Sequence, residues 1–169
     1  KHFGIAEDES TLRAYLDDFV NYVSEELPDS DARILPGVSG IVEAVHISPD
    51  HEQGLLTGNL RAAAEAKLVP FGLWDYFSFG AFADDAIERL DLGPIALARA
   101  SEYCASTFVR EAVTVIGDTP HDIACARAIG ARSLAVASGR FTMDQLAECE
   151  PTFLVGSLEE PAVLSFLSL

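Results

Sequence analysis

The chain has 169 residues, 49% of them hydrophobic, enough for one compact core or a core with a small appendage. Eleven Lys and Arg against 27 Asp and Glu give a formal charge of −16, which repels nucleic acid and anionic membrane and favours small ligands or cations as partners. Cys104, Cys125 and Cys149 are odd in number and lack metal-ligand spacing, so neither a disulfide framework nor a zinc site is indicated and a reducing, cytoplasmic setting is expected.

No apolar run is long enough to span a bilayer, and the start KHFGIAEDES has neither a signal-peptide core nor Met. Lys1 is therefore not expected to be the natural start. After Ser10, a candidate N-cap, Leu12, Tyr15, Leu16, Phe19, Val20, Val23 and Leu27 recur at helical spacing until Pro28. A connector, LPDSDARILPG, leads to a second helical stripe at Val38, Ile41, Val42 and Val45.

From residue 54 short apolar runs alternate with helical stretches, the pattern of a parallel sheet. The expected strands are Leu55–Thr57, Phe77–Phe79, Val113–Gly117, Ser133–Ala137 and Phe153–Val155. The expected helices are Asn59–Leu68, Pro94–Ser106, Asp122–Ile129 and Met143–Glu148, with Gly130 at a helix C-terminus. Such sheets bind ligands at the carboxyl ends of their strands, and two of those ends carry suggestive chemistry.

In V-T-V-I-G-D-T-P-H-D, residues 113–122, an apolar strand ends at Gly117 and Asp118, and Asp122 follows four residues later. Two carboxylates so placed can converge on one magnesium ion, which takes hard oxygen ligands. Alternatively, Asp118 begins a turn and Asp122 caps a helix. His121 reads as a surface residue. In G-L-L-T-G-N, residues 54–59, Thr57 can donate to a phosphate oxygen, and the amides of Gly58 and the following helix N-terminus favour an anion. The alternative is that Thr57 merely ends a strand and Asn59 caps the next helix.

Taken in order, the strand-end Thr57 and the downstream G-D-x-x-x-D at 117–122 resemble motifs of the haloacid dehalogenase superfamily. L-P-G-V at 35–38, C-A-R-A-I-G-A-R at 125–132 and A-V-A-S-G at 135–139 are similar to its phosphoglycolate phosphatase and β-phosphoglucomutase branch. The resemblance implies an α/β fold, a Rossmann-like parallel sheet with helices on both faces, in residues 35–169, with residues 1–34 a remnant of a helical cap. It implies a magnesium-dependent phosphatase acting on a small phosphorylated metabolite through an aspartyl-phosphate intermediate. Thr57 and Asp118 take catalytic roles, Thr57, Gly58 and Asn59 bind phosphate, and Asp118 and Asp122 hold Mg2+. The superfamily's dehalogenases are the poorer match, because they work without magnesium.

The family's opening D-x-D strand does not occur. Asp29-Ser30-Asp31 has the spacing but lies between Pro28 and Pro36 with no strand before it, so it reads as a connector. The resemblance places that strand between those ending at Thr57 and Asp118, so the nucleophile is expected upstream of Lys1. The family's phosphate-facing lysine starts a K-P-x-P segment. Arg89-Leu90-Asp91-Leu92-Gly93-Pro94 stands in that place, making Arg89 the expected catalytic cation. The alternatives are that Arg89 pairs with Asp84, Asp85 and Glu88 on a solvated face, or that Lys67 serves, although it is expected to answer its helix dipole away from the site.

No G-x-G, G-K-S/T, G-x-S-x-G or H-E-x-x-H is present, which sets aside dinucleotide, P-loop, serine hydrolase and zincin chemistry. A phosphomutase on the same core and a non-catalytic binding module stay open as alternatives.

Overall fold

A computed structural model describes residues 9–26 and 32–169. Asp29-Ser30-Asp31 lies outside the described residues. The elements run α1 Glu9–Glu26, α2 Val38–Ile47, β1 Leu55–Leu56, α3 Arg61–Leu68, β2 Gly80–Ala81, α4 Leu92–Tyr103, β3 Thr114–Gly117, α5 Pro120–Ile129, β4 Arg132–Val136, α6 Met143–Ala147, β5 Phe153–Val155 and α7 Pro161–Leu167. Strands β3, β4 and β5 form one parallel sheet, with Ile116 opposite Leu134 and Ala135 opposite Leu154. Strands β1 and β2 form a second parallel pair in which Leu55 faces Gly80.

The alternation of side chains along β4 builds the core. Leu134 and Val136 pack on one face with Ile41 of α2 and Val163 and Leu167 of α7. Ala135 packs on the other with Ile123 of α5 and Leu146 of α6. Helices therefore cover both faces of the sheet. Leu134 is fully buried, and that burial stabilises the fold by about 1.5–3 kcal/mol. Ser133, the buried polar residue of this strand, is satisfied by Thr152: its amide donates to Thr152 Oγ1 (3.0 Å), and the Thr152 amide donates to Ser133 Oγ (2.9 Å).

Helix α5, which carries Asp122, has well-defined ends. Thr119 is its N-cap in a reciprocal capping box with Asp122, Pro120 takes the first turn, and Gly130 closes it at φ 71°. Gly37 begins α2 at φ 83°, and a Cβ there would meet the Leu158 backbone at 2.6 Å, so the LPGV turn needs glycine.

Three expectations shift. The strand expected at Phe77–Phe79 lies at Gly80–Ala81: Trp74–Tyr76 coil into a 3₁₀ turn, and Phe79 is the run-in whose carbonyl accepts from the Leu55 amide (3.0 Å). Gly80 and Ala81 are too small to stand out as an apolar run, yet both are buried because β1 and α4 pack against them. Helix α7 was not expected; its short stripe of Val163 and Leu167 follows Pro161 at the chain end. Helix α4 begins at Leu92, directly after a 3₁₀ turn at Arg89–Asp91. Of the expected cap remnant, α1 is described, and it packs against α3.

Among the described residues, β1 has β2 as its ladder partner and β3 has β4, so no strand joins the two sheets. Ile116, in the middle of β3, is correspondingly 39% exposed.

Candidate functional site

Strand β1 delivers Thr57, whose amide continues the ladder to Ala81 O (3.0 Å), while Ala83 N donates to Asn59 O (2.9 Å). These bonds fix the Thr57-Gly58-Asn59 turn at the end of the β1–β2 pair. Thr57 Oγ1 accepts from the Asn59 amide (3.1 Å) and from Asn59 Nδ2 (2.9 Å). Gly58 is exposed, and a Cβ on it would sit 2.7 Å from an Arg89 guanidinium nitrogen, so a side chain there would displace the cation.

Strand β3 ends at Gly117, where a Cβ would collide with the Asp122 carboxylate. Both Asp122 oxygens have partners: Oδ2 accepts from the Thr119 amide (3.0 Å) and hydroxyl (2.8 Å), and Oδ1 accepts from Arg89 (2.9 Å). Asp118 differs. It forms no side-chain hydrogen bond or ion pair among the described residues, and its carboxylate lies where a Cβ on Gly139, in the loop after β4, would fall. A strand-end carboxylate in contact with a glycine is open to a hard cation. His121 is exposed, as expected for a surface residue.

Arg89 joins the two loops. Its guanidinium lies beside Gly58 after β1 and pairs with Asp122 after β3. It does not pair with Asp84 or Asp85, the acidic neighbours expected to compete for it. Asp84 instead accepts from the Arg61 amide at the start of α3 (2.6 Å), and Asp85 holds Arg99 through two bonds of 2.6 and 2.7 Å. These aspartates were expected on solvated surfaces; Asp84 is exposed and Asp85 half-buried, and both also serve the fold, because their side chains supply the acceptors that a helix start and the Phe82 amide need. Arg99 holds the Asp85 carboxyl below the usual carboxylate range.

The main chain of Arg89 is seated on α5. Cys125 Sγ donates to Arg89 O (3.5 Å), and a Cβ on Gly93 would meet Ile129 at 3.0 Å, so the 3₁₀ turn and the start of α4 lie close against α5. Burial pushes the Cys125 thiol up, opposed by the Arg89 charge.

Lys67 was expected to stay away from this site and does not. Its ammonium donates to Asn59 Oδ1 at 2.9 Å. Side chains on a helix lean toward its N-terminus, so a lysine near the end of the short α3 reaches back to the turn before it. Gly139 was also missed as a site residue, and its signal was the small-residue stretch after β4. Two open clefts of about 350 and 380 Å³ lie around Arg61 and Arg99 and are lined by none of these residues.

Two carboxylates, one of them free, suit magnesium, which is commonly held by one or two carboxylates with water and substrate oxygens completing its shell. Among the described residues no cluster of three His, Cys, Asp or Glu side chains forms a metal cage. Asp118 is the carboxylate open to such an ion, whereas both Asp122 oxygens have partners in Thr119 and Arg89.

Comparison with known proteins bears on this arrangement. Residues 81–161 match the model of the family described as HAD-hydrolase-like. A curated relative, Probable phosphatase IndB of Dickeya dadantii (strain 3937), is 28% identical over 159 residues, covering 91% of this chain and 65% of that protein's own length. The structure of CbbY from Rhodobacter sphaeroides in complex with phosphate superposes with a TM-score of 0.71 at 21% identity, covering 97% of this chain and 71% of that one. A haloacid dehalogenase-like family hydrolase from Streptococcus pneumoniae superposes at 0.69 with 18% identity, covering 96% and 72%. The chain therefore has the haloacid dehalogenase-like fold across nearly all of its length, and over residues 81–161 its sequence matches the HAD-hydrolase-like family.

Proposed function

We propose that the protein is a magnesium-dependent phosphatase that hydrolyses a small phosphate monoester through an aspartyl-phosphate intermediate. The observation that carries this reading is the Arg89 guanidinium, which spans from Gly58 after β1 to Asp122 after β3 and so makes two strand ends into one anion-facing site. The named phosphatase relative and the phosphate bound by CbbY support phosphate as the anion. A mutant of CbbY holding xylulose-(1,5)bisphosphate supports a small phosphorylated metabolite as substrate.

In this reading the Thr57 hydroxyl and the Gly58 amide donate to the phosphoryl oxygens, and Arg89 offsets their charge. Asp118 binds Mg2+ directly, and Asp122 steers Arg89 and the second shell of the ion. Magnesium, when bound, adds charge neutralisation at the transferred phosphoryl group. The nucleophilic aspartate is assigned, as the family resemblance implies, to a strand between β1 and β3: among the described residues no strand carries D-x-D, and the edges of β1 and β3 have no ladder partner. Residues 1–34 are assigned to a helical cap and 35–169 to the core, with α1 against α3 as the point of attachment.

Release of phosphate from p-nitrophenyl phosphate by the full-length protein tests the proposal. Turnover that appears with magnesium and vanishes on chelation is the expected result. A folded protein with no turnover at any magnesium concentration would replace the enzyme by a binding module on the same fold.

A further inference from the structure

Asn59 stands between Thr57 and Lys67 and bonds both. Chemistry fixes the orientation of its amide. An ammonium can only donate, so Oδ1 faces Lys67, and Nδ2 is left to donate to Thr57 Oγ1. With the Asn59 main-chain N–H also donating to that oxygen, Thr57 Oγ1 accepts two bonds from one side. Its single O–H proton is thereby directed away from Asn59. Lys67, with one proton on the amide, keeps two to give.

Charge distinguishes the two cations of the site. Arg89 faces the Asp122 carboxylate at 2.9 Å, so much of its charge is offset within the protein. Lys67 faces a neutral amide oxygen and forms no ion pair among the described residues. Thr57, Asn59 and Lys67 are all partly buried, where a charge interacts more strongly than in open water. An incoming anion thus meets one cation already paired and one that is not.

We infer that Lys67 is a second anion-binding cation of this site, for a phosphate dianion or monoester, and that Asn59 is the positioning residue that couples Lys67 to the Thr57 hydroxyl. This rests on reading the site as phosphate-binding, and it gives Asn59 a positioning role: its main-chain N–H and one Nδ2 proton are given to Thr57, and its Oδ1 to Lys67.

Calorimetric titration of the full-length protein with orthophosphate tests the inference, with p-nitrophenyl phosphate turnover measured separately. Lys67→Met is expected to weaken orthophosphate about tenfold or more, the usual size of a lost hydrogen bond to a charged group. Lys67→Arg, which restores the charge, should recover most of that loss. Asn59→Ala should also weaken binding, and the Asn59→Ala/Lys67→Met double variant should lose less than the product of the two single losses, because the residues act through one another. Asn59→Asp is an independent check: it sets a carboxylate against Lys67 and removes the amide donor to Thr57, so it should weaken orthophosphate at least as much as Asn59→Ala. Unchanged affinity in Lys67→Met, equal losses in Lys67→Arg and Lys67→Met, or losses that simply multiply would each overturn the inference, as would a wild-type protein that binds no orthophosphate. A protein that binds orthophosphate through Lys67 yet releases nothing from p-nitrophenyl phosphate would overturn the phosphatase reading and uphold this one.

Discussion

Asp118 and Asp122 are four residues apart in one motif, yet their surroundings give them different tasks. Asp122 serves the capping box of α5 and the Arg89 pair, so its replacement acts on stability as well as on the site. Asp122→Ala is predicted to cost about 1–2 kcal/mol, measured as a shift in urea midpoint at constant slope. A change below a few tenths would mean that the capping box contributes nothing. Gly139 faces Asp118 from the loop after β4. Gly139→Ala is predicted to lower p-nitrophenyl phosphate turnover by an order of magnitude or more with little change in melting temperature, because the added methyl displaces a carboxylate and no core group. Full turnover in Gly139→Ala would show that the position of Asp118 is not critical. Thr57, Arg89 and Asp118 stood out in the sequence because each sits beside a strand end or replaces a lysine in a patterned segment. Lys67 did not, because its place in the last turn of α3 already had an ordinary explanation in the helix dipole, and nothing in one dimension shows that it folds back to Asn59.

At the level of elements, strands carried by large apolar residues were legible and the one carried by small residues was not. β3, β4 and β5 fall within a residue of their expected places because V-T-V-I-G, R-S-L-A-V and F-L-V are runs rich in β-branched and large apolar residues, with most of β4 buried. β2 was displaced because two small residues carry it and the aromatic run before it coils. The loop after β2 is held by Asp85, which accepts from the Phe82 amide and binds Arg99 in a bidentate pair. Since the folded Asp85 carboxyl lies below its usual range, the pair stabilises the protein above the ordinary carboxylate pKa of about 4 and loses that contribution as pH falls through the folded value. Urea midpoints of the wild type and Asp85→Asn should differ at pH 7 and converge as pH falls below about 4. A separation independent of pH would show that Asp85 acts only through its shape.

Across the whole molecule, the parallel strands form two groups, and the site lies where their carboxyl ends meet. Among the described residues the order β2-β1 and β3-β4-β5 leaves the edges of β1 and β3 without ladder partners, and Arg89 links the loops after those strands. The sequence anticipated this division only through the family resemblance, since apolar periodicity locates strands without saying which pair. A net charge of −16 makes the surface repel a phosphate ester, so local cations at the strand ends must overcome the field of the whole chain. The central claim is that Asp118, with no side-chain hydrogen bond or ion pair among the described residues, is the carboxylate through which magnesium acts at this junction. Its most direct test is the magnesium dependence of p-nitrophenyl phosphate turnover by full-length wild type and Asp118→Asn, measured beside their melting temperatures. The account predicts that Asp118→Asn lowers kcat/KM at least about 100-fold and raises the magnesium concentration needed for half activity, with a melting temperature close to wild type; wild-type turnover and magnesium response in Asp118→Asn would contradict it.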